Sequence, residues 1–103
     1  MEQVAGFDWD AGNREKCERH GLSVAELESV FRDAIAVHPD PAHSSAEARF
    51  KAIGKSDRGR NVFVVFTLRE RDGARLIRPI SARFMHRKEV QHYEAEVAKS
   101  AER

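Results

Sequence analysis

The sequence predicts a compact α+β domain in which a short strand and two helices precede an antiparallel sheet and a C-terminal helix. Apolar residues recur at helical spacing in the first third of the chain and again near its end. Between them, strand-like runs are separated by Ser56-Asp57-Arg58-Gly59 and by Asp72-Gly73, both typical turn sequences. A chain of 103 residues has room for one hydrophobic core. We therefore expect a single domain over residues 1–103, with its core at about residues 7–98.

The N-terminal segment is predicted to form the first strand and the first helix. Phe7-Asp8-Trp9-Asp10 alternates apolar and acidic residues, as a half-buried strand does. Asp10 is a suitable N-cap for a helix from Ala11 to His20, and Gly21 can supply the left-handed residue that ends it.

A second helix is predicted to begin after Ser23, because Ser23 and Glu26 form an S-x-x-E capping box. It should extend to about Arg32. Its predicted core stripe is Val24, Leu27, Val30 and Phe31. Residues Ala34 to Val37 are consistent with a short strand. The following His38-Pro39-Asp40-Pro41 is expected to lack regular structure, since its two prolines have no backbone donor.

The second half predicts a three-stranded meander followed by a helix. Its strands are Arg49 to Lys55, Asn61 to Leu68 and Leu76 to Arg83. The middle strand is apolar on both faces, which indicates a central position with cover on both sides. Pro79 suggests an edge or a bulge in the third strand. The final helix should run from about Arg87 to Ala98, with Val90, Tyr93 and Val97 as its packing stripe.

The composition is that of a water-soluble globular protein, with 41% hydrophobic and 34% charged residues. No apolar run approaches the ~20 residues of a membrane-spanning helix. Met1-Glu2-Gln3 lacks the basic and apolar regions of a signal peptide, so we expect a cytoplasmic protein. Cys17 is the only cysteine, which excludes an internal disulfide, and we expect it to be a small buried packing residue.

Charge is strongly segregated along the chain. Residues 1–48 carry a net charge of −6, and residues 49–88 carry +9, from 12 Lys or Arg against 3 Asp or Glu. A basic surface of this kind attracts polyanions such as nucleic acid. The alternative is a set of exposed strands whose arginines provide solubility and protect strand edges.

Common cofactor and catalytic motifs are absent from the sequence, including the dinucleotide-binding, P-loop and nucleophile-elbow patterns. Five histidines are present, but none forms an HxxxH pair and there is no cysteine pair. His38 and His43 flank Asp40 in a weak cluster. We therefore predict neither a metal nor a cofactor.

The end of the third predicted strand has the features of a phosphate site. Arg83 comes shortly before His86, Arg87 and Lys88, which open the last helix. A helix N-terminus offers free N–H groups and a partial positive charge, both of which attract an anion. Cations in the first turn add to that attraction. The alternative is that Glu89 caps the helix while Arg87 and Lys88 point into water.

RNA cleavage without a metal requires a base, cations that stabilise the phosphorane and an acid for the leaving oxygen. Arg83 can hold a phosphate, and His86 can transfer protons near neutral pH. Glu89 and Tyr93 are spaced to contact each other on one helix edge. Tyr93 could donate a proton or stack on a base, or simply extend the core stripe. The predicted catalytic residues are thus Arg83, His86, Glu89 and Tyr93.

Four ordered segments resemble the BrnT toxin family and together span roughly residues 7–94. The first three are Phe7-Asp8-Trp9-Asp10 with His20-Gly21-Leu22-Ser23, Asp40-Pro41 through His43-Ser44 to Glu47-Ala48-Arg49-Phe50, and Ile53-Gly54-Lys55-Ser56-Asp57-Arg58-Gly59-Arg60. The fourth runs from Arg78-Pro79-Ile80-Ser81-Ala82-Arg83 through Met85-His86-Arg87-Lys88-Glu89 to Tyr93-Glu94.

The resemblance implies a RelE-like fold and a ribonuclease that arrests translation. It also implies a BrnA-like ribbon-helix-helix antitoxin, with operator DNA contacted only through the toxin–antitoxin complex. Many relatives have Ala-Thr where this chain has Met85-His86, so His86 is either a helix cap or a catalytic residue.

The predicted RNA-binding residues are Arg49, Lys51, Arg58, Arg60, Arg87 and Lys88, although Arg58 and Arg60 could equally serve the antitoxin interface. The leading hypothesis is a metal-independent endoribonuclease. The alternatives are a non-catalytic nucleic-acid-binding module and a domain whose basic surface receives only an acidic protein partner.

Overall fold

Short-range signals in the sequence place most of the secondary-structure elements. The structure, a computed structural model, describes residues 4–32, 36–43 and 47–101. Its strands are β1 (Gly6–Phe7), β2 (Ala36–Pro39), β3 (Arg49–Lys55), β4 (Asn61–Arg71) and β5 (Ala74–Phe84), and its helices are α1 (Ala11–Glu18), α2 (Val24–Val30) and α3 (Arg87–Ala101). A 3₁₀ turn covers Pro41–His43. The α+β class and the order of elements are as predicted.

The five strands form one sheet in the order β1-β5-β4-β3-β2. Strands β3, β4 and β5 form the predicted antiparallel meander, β2 adds to it antiparallel to β3, and β1 pairs in parallel with β5. The sheet is therefore mixed. The parallel pairing arises because α1 and α2 carry the chain away from β1 and β5 returns in the same direction.

The core lies on the face of the sheet that α1 and α2 cover. Fully buried side chains on this face come from both layers: Cys17, Leu22, Leu27 and Val30 from the helical segment, and Ala52, Val62, Val64, Phe66, Ile77 and Ala82 from the strands. Burial raises the pKa of the Cys17 thiol to about 11, which leaves it unreactive at neutral pH. Cys17 is thus a packing residue, as expected.

The other face of the sheet is partly uncovered, and we call it the open face. It carries the side chains that alternate with the core residues, including Ile53, Phe63, Val65, Ser81 and Arg83. The prediction that β4 is central is confirmed, but cover on both sides is only partly realised. Phe63 and Val65 are half-buried, whereas Val62 and Val64 are completely buried.

The helix caps confirm two predictions and correct one. Asp10 caps α1 and accepts from the Asn13 N–H, while the Asn13 side chain accepts from the Asp10 N–H, completing a capping box. Ser23 caps α2 through the Glu26 N–H. The predicted return contact from the Glu26 side chain is replaced by bonds to Ser56 and Arg60. A guanidinium is a stronger partner for that buried carboxylate than a backbone N–H.

Several element boundaries differ from the predictions. Only Phe7 of the predicted first strand lies in β1, and Asp10, predicted to be both in that strand and the cap, is the N-cap of α1. Helix α1 ends at Glu18 and α2 at Val30, each shorter than predicted, whereas β4, β5 and α3 are longer. Residues 33–35, which include part of the predicted Ala34–Val37 strand, and the side chain of Val97 lie outside the described part of the chain.

The prediction that residues 38–41 lack regular structure is wrong. His38 and Pro39 end β2, and Pro41 opens the 3₁₀ turn. Strand β2 is at the sheet edge and pairs only with β3, so the missing Pro39 donor breaks no ladder on its outer side.

The predicted turns and the bulge are confirmed. Asp72 and Gly73 both have positive φ, at 51° and 78°, as a two-residue hairpin turn requires. The β4–β5 register shifts between Val65 and Phe66, opposite the segment around Pro79. This bulge keeps Pro79 in a strand that is not at the edge of the sheet.

Candidate functional site

The open face brings a cation and an aromatic ring together next to the start of α3. Strand pairing aligns Ile53 with Phe63 and Phe63 with Arg83, so the three side chains form a row across the sheet. The Arg83 guanidinium carbon lies 4.9 Å from the centre of the Phe63 ring, a cation–π contact. Arg83 is thereby held over the Phe63 ring, with its side chain 36% exposed.

Arg83 and Glu89 form a two-pronged ion pair. The Arg83 Nη1 and Nη2 groups donate to the two Glu89 carboxylate oxygens at 2.7 and 2.8 Å. These bonds, with a further one from the His86 N–H, lower the pKa of Glu89 to about 2. The same contact raises the pKa of Arg83. Glu89 is consequently a permanent carboxylate and a poor proton acceptor at neutral pH.

His86 occupies the position just before the first residue of α3. Its backbone N–H donates to the Glu89 carboxylate at 2.8 Å, which is the returning arm of a capping box. The imidazole of His86 is exposed. The structure thus gives the backbone of His86 a capping role and leaves its side chain at the solvent-facing entrance to α3.

A groove of about 750 Å³ separates α3 from the open face. The helix contributes Lys88, Glu89, His92, Tyr93 and Glu96 to its wall. The sheet side contributes Ala36, His38, Ile53, Phe63 and Met85. The floor is therefore apolar and aromatic, and the rim carries a lysine, two imidazoles and two carboxylates. Helix α3 packs only sparsely on the other described elements, which leaves this groove open.

Two predicted catalytic residues, Glu89 and Tyr93, line the groove directly. Arg83 borders it through its contacts with Glu89 and Phe63. His86 adjoins the groove at the start of α3. The four residues predicted from the sequence are thus gathered at one end of the open face.

The predicted RNA-binding residues are divided between several places. Lys88 lines the groove, and Arg87 is exposed beside it at the start of α3. Lys51 and Arg49 lie on the open face in β3, with Lys51 paired to the buried Asp40 carboxylate at 3.7 Å. Arg58 is exposed in the β3–β4 turn.

Arg60 is drawn away from the groove by a structural contact. It forms a two-pronged pair with Glu26, whose side chain is only 3% exposed, and its guanidinium lies 4.3 Å from the centre of the Phe84 ring. Glu26 also accepts from Ser56 at 2.7 Å, and the Arg60 contact lowers its pKa. This cluster fixes the β3–β4 turn against α2.

Acidic residues from the first half of the chain lie against the basic second half. Arg69 pairs with Glu47, Arg71 and Arg78 pair with Asp8, and Arg78 also pairs with Asp10. The Arg69 contact lowers the pKa of Glu47, and the Asn13 backbone N–H, with help from Arg78, lowers that of Asp10. The net charge of +9 in residues 49–88 is therefore largely balanced locally, and the basic surface is smaller than the sequence suggests.

Several residues of the groove were not predicted as functional from the sequence. The sequence marks Phe63 and Ile53 only as strand residues, and it marks His38 and His92 only as two of five histidines that lack metal-binding spacing. Alternation along β3 and β4 could have placed Ile53 and Phe63 on one face. Only the tertiary fold brings His38 on β2 opposite His92 on α3.

Another depression of similar volume lies along α1, between Trp9 and Arg19. It contains none of the predicted site residues and is lined mainly by exposed charged side chains. Within residues 4–32, 36–43 and 47–101, no three His, Cys, Asp or Glu side chains are grouped to hold a metal ion. In the same ranges, no helix is long and apolar enough to cross a membrane.

Comparison with protein families supports the resemblance seen in the sequence. Residues 9–89 match the family described as ribonuclease toxin, BrnT, of type II toxin–antitoxin systems. Comparison with curated protein sequences gives no match. The matched range runs from the strand–helix junction at Trp9 to the Glu89 cap of α3, and so includes the open face and the Arg83–Glu89 pair. The chain belongs to the BrnT family of ribonuclease toxins.

Proposed function

We propose that this chain is a metal-independent endoribonuclease that arrests translation in the cytoplasm, and that it cleaves RNA in the groove between α3 and the open face. The observation that carries the proposal is the convergence of Arg83, Glu89, Tyr93 and Lys88 on that groove. Cations, a phenol and imidazoles at one place provide the groups that phosphodiester cleavage needs without a metal.

Arg83 is proposed to stabilise the charge that develops on the phosphorane. Its Nη1 and Nη2 groups bond to Glu89, and Nη1 also reaches the Phe84 carbonyl at 3.4 Å. A guanidinium has five N–H donors, so two remain for phosphate oxygens. Lys88, in the first turn of α3, adds a second positive charge at the groove wall.

Glu89 is proposed to be a positioning residue. A carboxylate whose pKa is about 2 is too weak a base to take a proton from a ribose hydroxyl at neutral pH. It instead holds the Arg83 guanidinium over Phe63 and fixes the first turn of α3 through the His86 N–H. Both effects keep the cation preorganised before RNA binds.

Proton transfer is assigned to Tyr93 and His86, with His92 and His38 as further candidates. Tyr93 and His92 lie on α3, and His38 faces them from β2. Because imidazole changes charge near neutral pH, a pair of such groups can act as base and acid in one turnover.

The family implies an antitoxin partner, and we propose that it is a BrnA-like ribbon-helix-helix protein. The proposed complex would contact operator DNA through the antitoxin. Exposed cations at the turn and helix start, Arg58 and Arg87, are available to either RNA or this acidic partner.

The test is RNA cleavage by the purified chain in excess chelator. The wild type should cut RNA without added metal, and Arg83→Ala should slow cutting by about 10²–10³-fold. Arg83→Lys should recover only part of the rate, since an ammonium keeps the charge but not the fork. Arg75→Ala is the matched control, because Arg75 lies on the same strand with only the exposed Glu70 as its ion-pair partner.

Expression in bacteria tests translation arrest with the same variants. The wild type should halt growth and labelled amino-acid incorporation, and Arg83→Ala should relieve both while still binding the antitoxin. Cleavage that needs added Mg²⁺ would refute metal independence. A fully active Arg83→Ala protein would show that the reaction takes place elsewhere on the open face.

A further inference from the structure

The groove combines an apolar aromatic floor with a charged rim, and the proposed chemistry uses only its rim. Phe63, Ile53 and Met85 form the floor, and Tyr93 faces them from α3. Phe63 is half-buried, although it belongs to the longest apolar run of the chain, Val62 to Phe66. In the proposed chemistry the Phe63 ring only supports Arg83, and the apolar side chains beside it have no catalytic role, so this floor suits a ligand of matching chemistry.

We propose that the groove is a nucleobase pocket, in which an unpaired base of the RNA substrate lies between Tyr93 and the Phe63–Arg83 stack. This inference rests on the proposed function and specifies its substrate class as single-stranded RNA. A flat aromatic base fits such a site because bases stack on aromatic rings and on arginine guanidinium planes.

The Phe63–Arg83 contact explains how one site can hold both base and phosphate. The guanidinium carbon lies 4.9 Å from the centre of the Phe63 ring, so the cation and the ring can together form a stacking surface for a base. Lys88 and His92 are at the opposite wall, where a backbone phosphate next to a bound base would pass. Base binding would therefore place the scissile phosphate against the cations.

The size of the groove favours a base over a protein segment. Its volume of about 750 Å³ is within the range of small-ligand sites, ~300–1,000 Å³. Ten of the described residues line it, whereas a stable protein partner covers about 20–30 residues on each side. A paired base in a duplex could not enter, since its faces are occupied by stacking.

The experiment compares binding of a 2′-O-methyl RNA strand, which cannot be cleaved, with binding of its duplex. Wild type should bind the single strand more tightly, and Phe63→Leu should lose about five- to 150-fold of that affinity, the range for one stacked base. Phe63→Trp should retain it, since the ring is preserved. Val65→Ala, on the same strand and face but outside the groove, should bind as the wild type does.

An abasic nucleotide beside the mapped cleavage position provides the second measurement. It should weaken binding to the wild type by the same factor as Phe63→Leu, and the two changes together should be non-additive because they remove one contact. Equal affinity for single strand and duplex would overturn the base pocket. So would a Phe63→Leu protein, with an unchanged melting temperature, that binds RNA normally but no longer binds the antitoxin.

The two proposals fail in different ways. A wild-type chain that shows the Phe63-dependent preference for single strands but cuts no RNA would refute the endoribonuclease and support the pocket. A chain that cuts single strand and duplex alike, with Phe63→Leu fully active, would support the enzyme and refute the pocket.

Discussion

Glu89 shows how one side chain can act on both structure and chemistry. Its carboxylate accepts two hydrogen bonds from Arg83 and one from the His86 backbone N–H. It therefore connects the end of β5 to the first turn of α3, and it lies in the wall of the groove. The Arg83 contact is the main reason that the pKa of Glu89 falls to about 2. The charge of Glu89 thus links the packing of β5 and α3 to the proposed site.

Glu89→Gln should make stability less dependent on pH in acid. Because the pKa of Glu89 is lower in the folded protein than its ordinary value of 4.5, its contribution is fully present above pH 4.5 and is lost as the pH falls toward 2. The wild type should therefore lose more unfolding free energy than the variant across that range. Chemical denaturation at a series of pH values measures it, with Glu94→Gln on the same helix as control.

The comparison also separates Glu89 from the other carboxylates whose pKa is lowered, Glu26, Glu47 and Asp10, because these are unchanged in the variant. Parallel stability curves for Glu89→Gln and the wild type between pH 4.5 and pH 2 would mean that the ion pair contributes nothing to folding.

Arg60 illustrates an arginine whose partner lies inside the protein. Glu26 is nearly inaccessible to solvent and accepts hydrogen bonds from Arg60 and Ser56. Ser29, on the same helix, accepts from the Asp57 N–H at 2.9 Å and so binds the backbone of the turn. Removing the cation would leave a buried carboxylate without its strongest partner. A count of cations in the sequence cannot distinguish an arginine that pairs with a buried carboxylate from one that is free to bind RNA.

Arg60→Met should therefore lower stability more than RNA affinity. We expect a loss of about 1–3 kcal/mol of unfolding free energy, the cost of an unsatisfied buried polar group. The double variant Arg60→Met with Glu26→Gln should recover part of it. Urea denaturation and RNA binding by the folded fraction measure the two effects, and Arg58→Met in the same turn is the control. An Arg60→Met protein of normal stability that binds RNA poorly would reverse this assignment.

At the scale of the element, β4 carries two different faces along one apolar run. Val64 is completely buried against α1 and α2, and Val65 next to it is half-buried on the open face. The neighbours of Val65 in the sheet are Lys51 and Ser81, both polar. The same residue type therefore has two environments one position apart.

Val64→Asp should unfold the protein, whereas Val65→Asp should remain folded. An unpaired charge in the core costs several kcal/mol, comparable to the ~5–15 kcal/mol stability of a whole domain. At Val65 the carboxylate can remain hydrated and close to Lys51. Circular dichroism melting of the two variants measures the difference. A cooperatively melting Val64→Asp protein would show that the core is on the other face.

At the scale of the whole molecule, folding largely removes the charge segregation of the sequence. Asp8, Asp10, Glu26, Asp40 and Glu47 from the acidic half all pair with cations of residues 49–88. Among the described basic residues of that segment, Lys55, Arg58, Arg87 and Lys88 are the ones whose side chains form no ion pair, hydrogen bond or ring contact. The electrostatic attraction for RNA is consequently concentrated near α3 and the β3–β4 turn.

RNA affinity should fall with salt less steeply than 12 cations would imply. Each neutralised phosphate contributes about 0.7 to the logarithmic slope for a single strand, so we expect a slope that corresponds to fewer than about five phosphates. RNA binding measured between about 50 and 200 mM salt tests this. Arg14→Glu in α1 is the control, because it should change the affinity and the slope little. A slope that corresponds to ten or more phosphates would mean that RNA breaks the internal ion pairs.

The sequence by itself determined the class of fold, the caps at Asp10 and Ser23, the turns at Gly59 and Asp72-Gly73, and the family. These features follow from short-range chemistry, such as a side chain that accepts from a nearby N–H or a glycine at positive φ. Arg83, His86, Glu89 and Tyr93 were predicted as a group because they are close in sequence. Their catalytic roles remain proposals.

Only the tertiary structure decided that β1 pairs in parallel with β5, that β2 includes His38 and Pro39, and that Phe63 faces a groove with His38 and His92. It also decided which cations are paired with carboxylates inside the protein. Glu26 binds Arg60, 34 residues away in the sequence, and Asp8 binds Arg71, 63 residues away. The physical reason is that ion pairing and burial depend on distance in space. Local sequence patterns fix the elements, but the contacts between distant elements are set by how the sheet and helices pack.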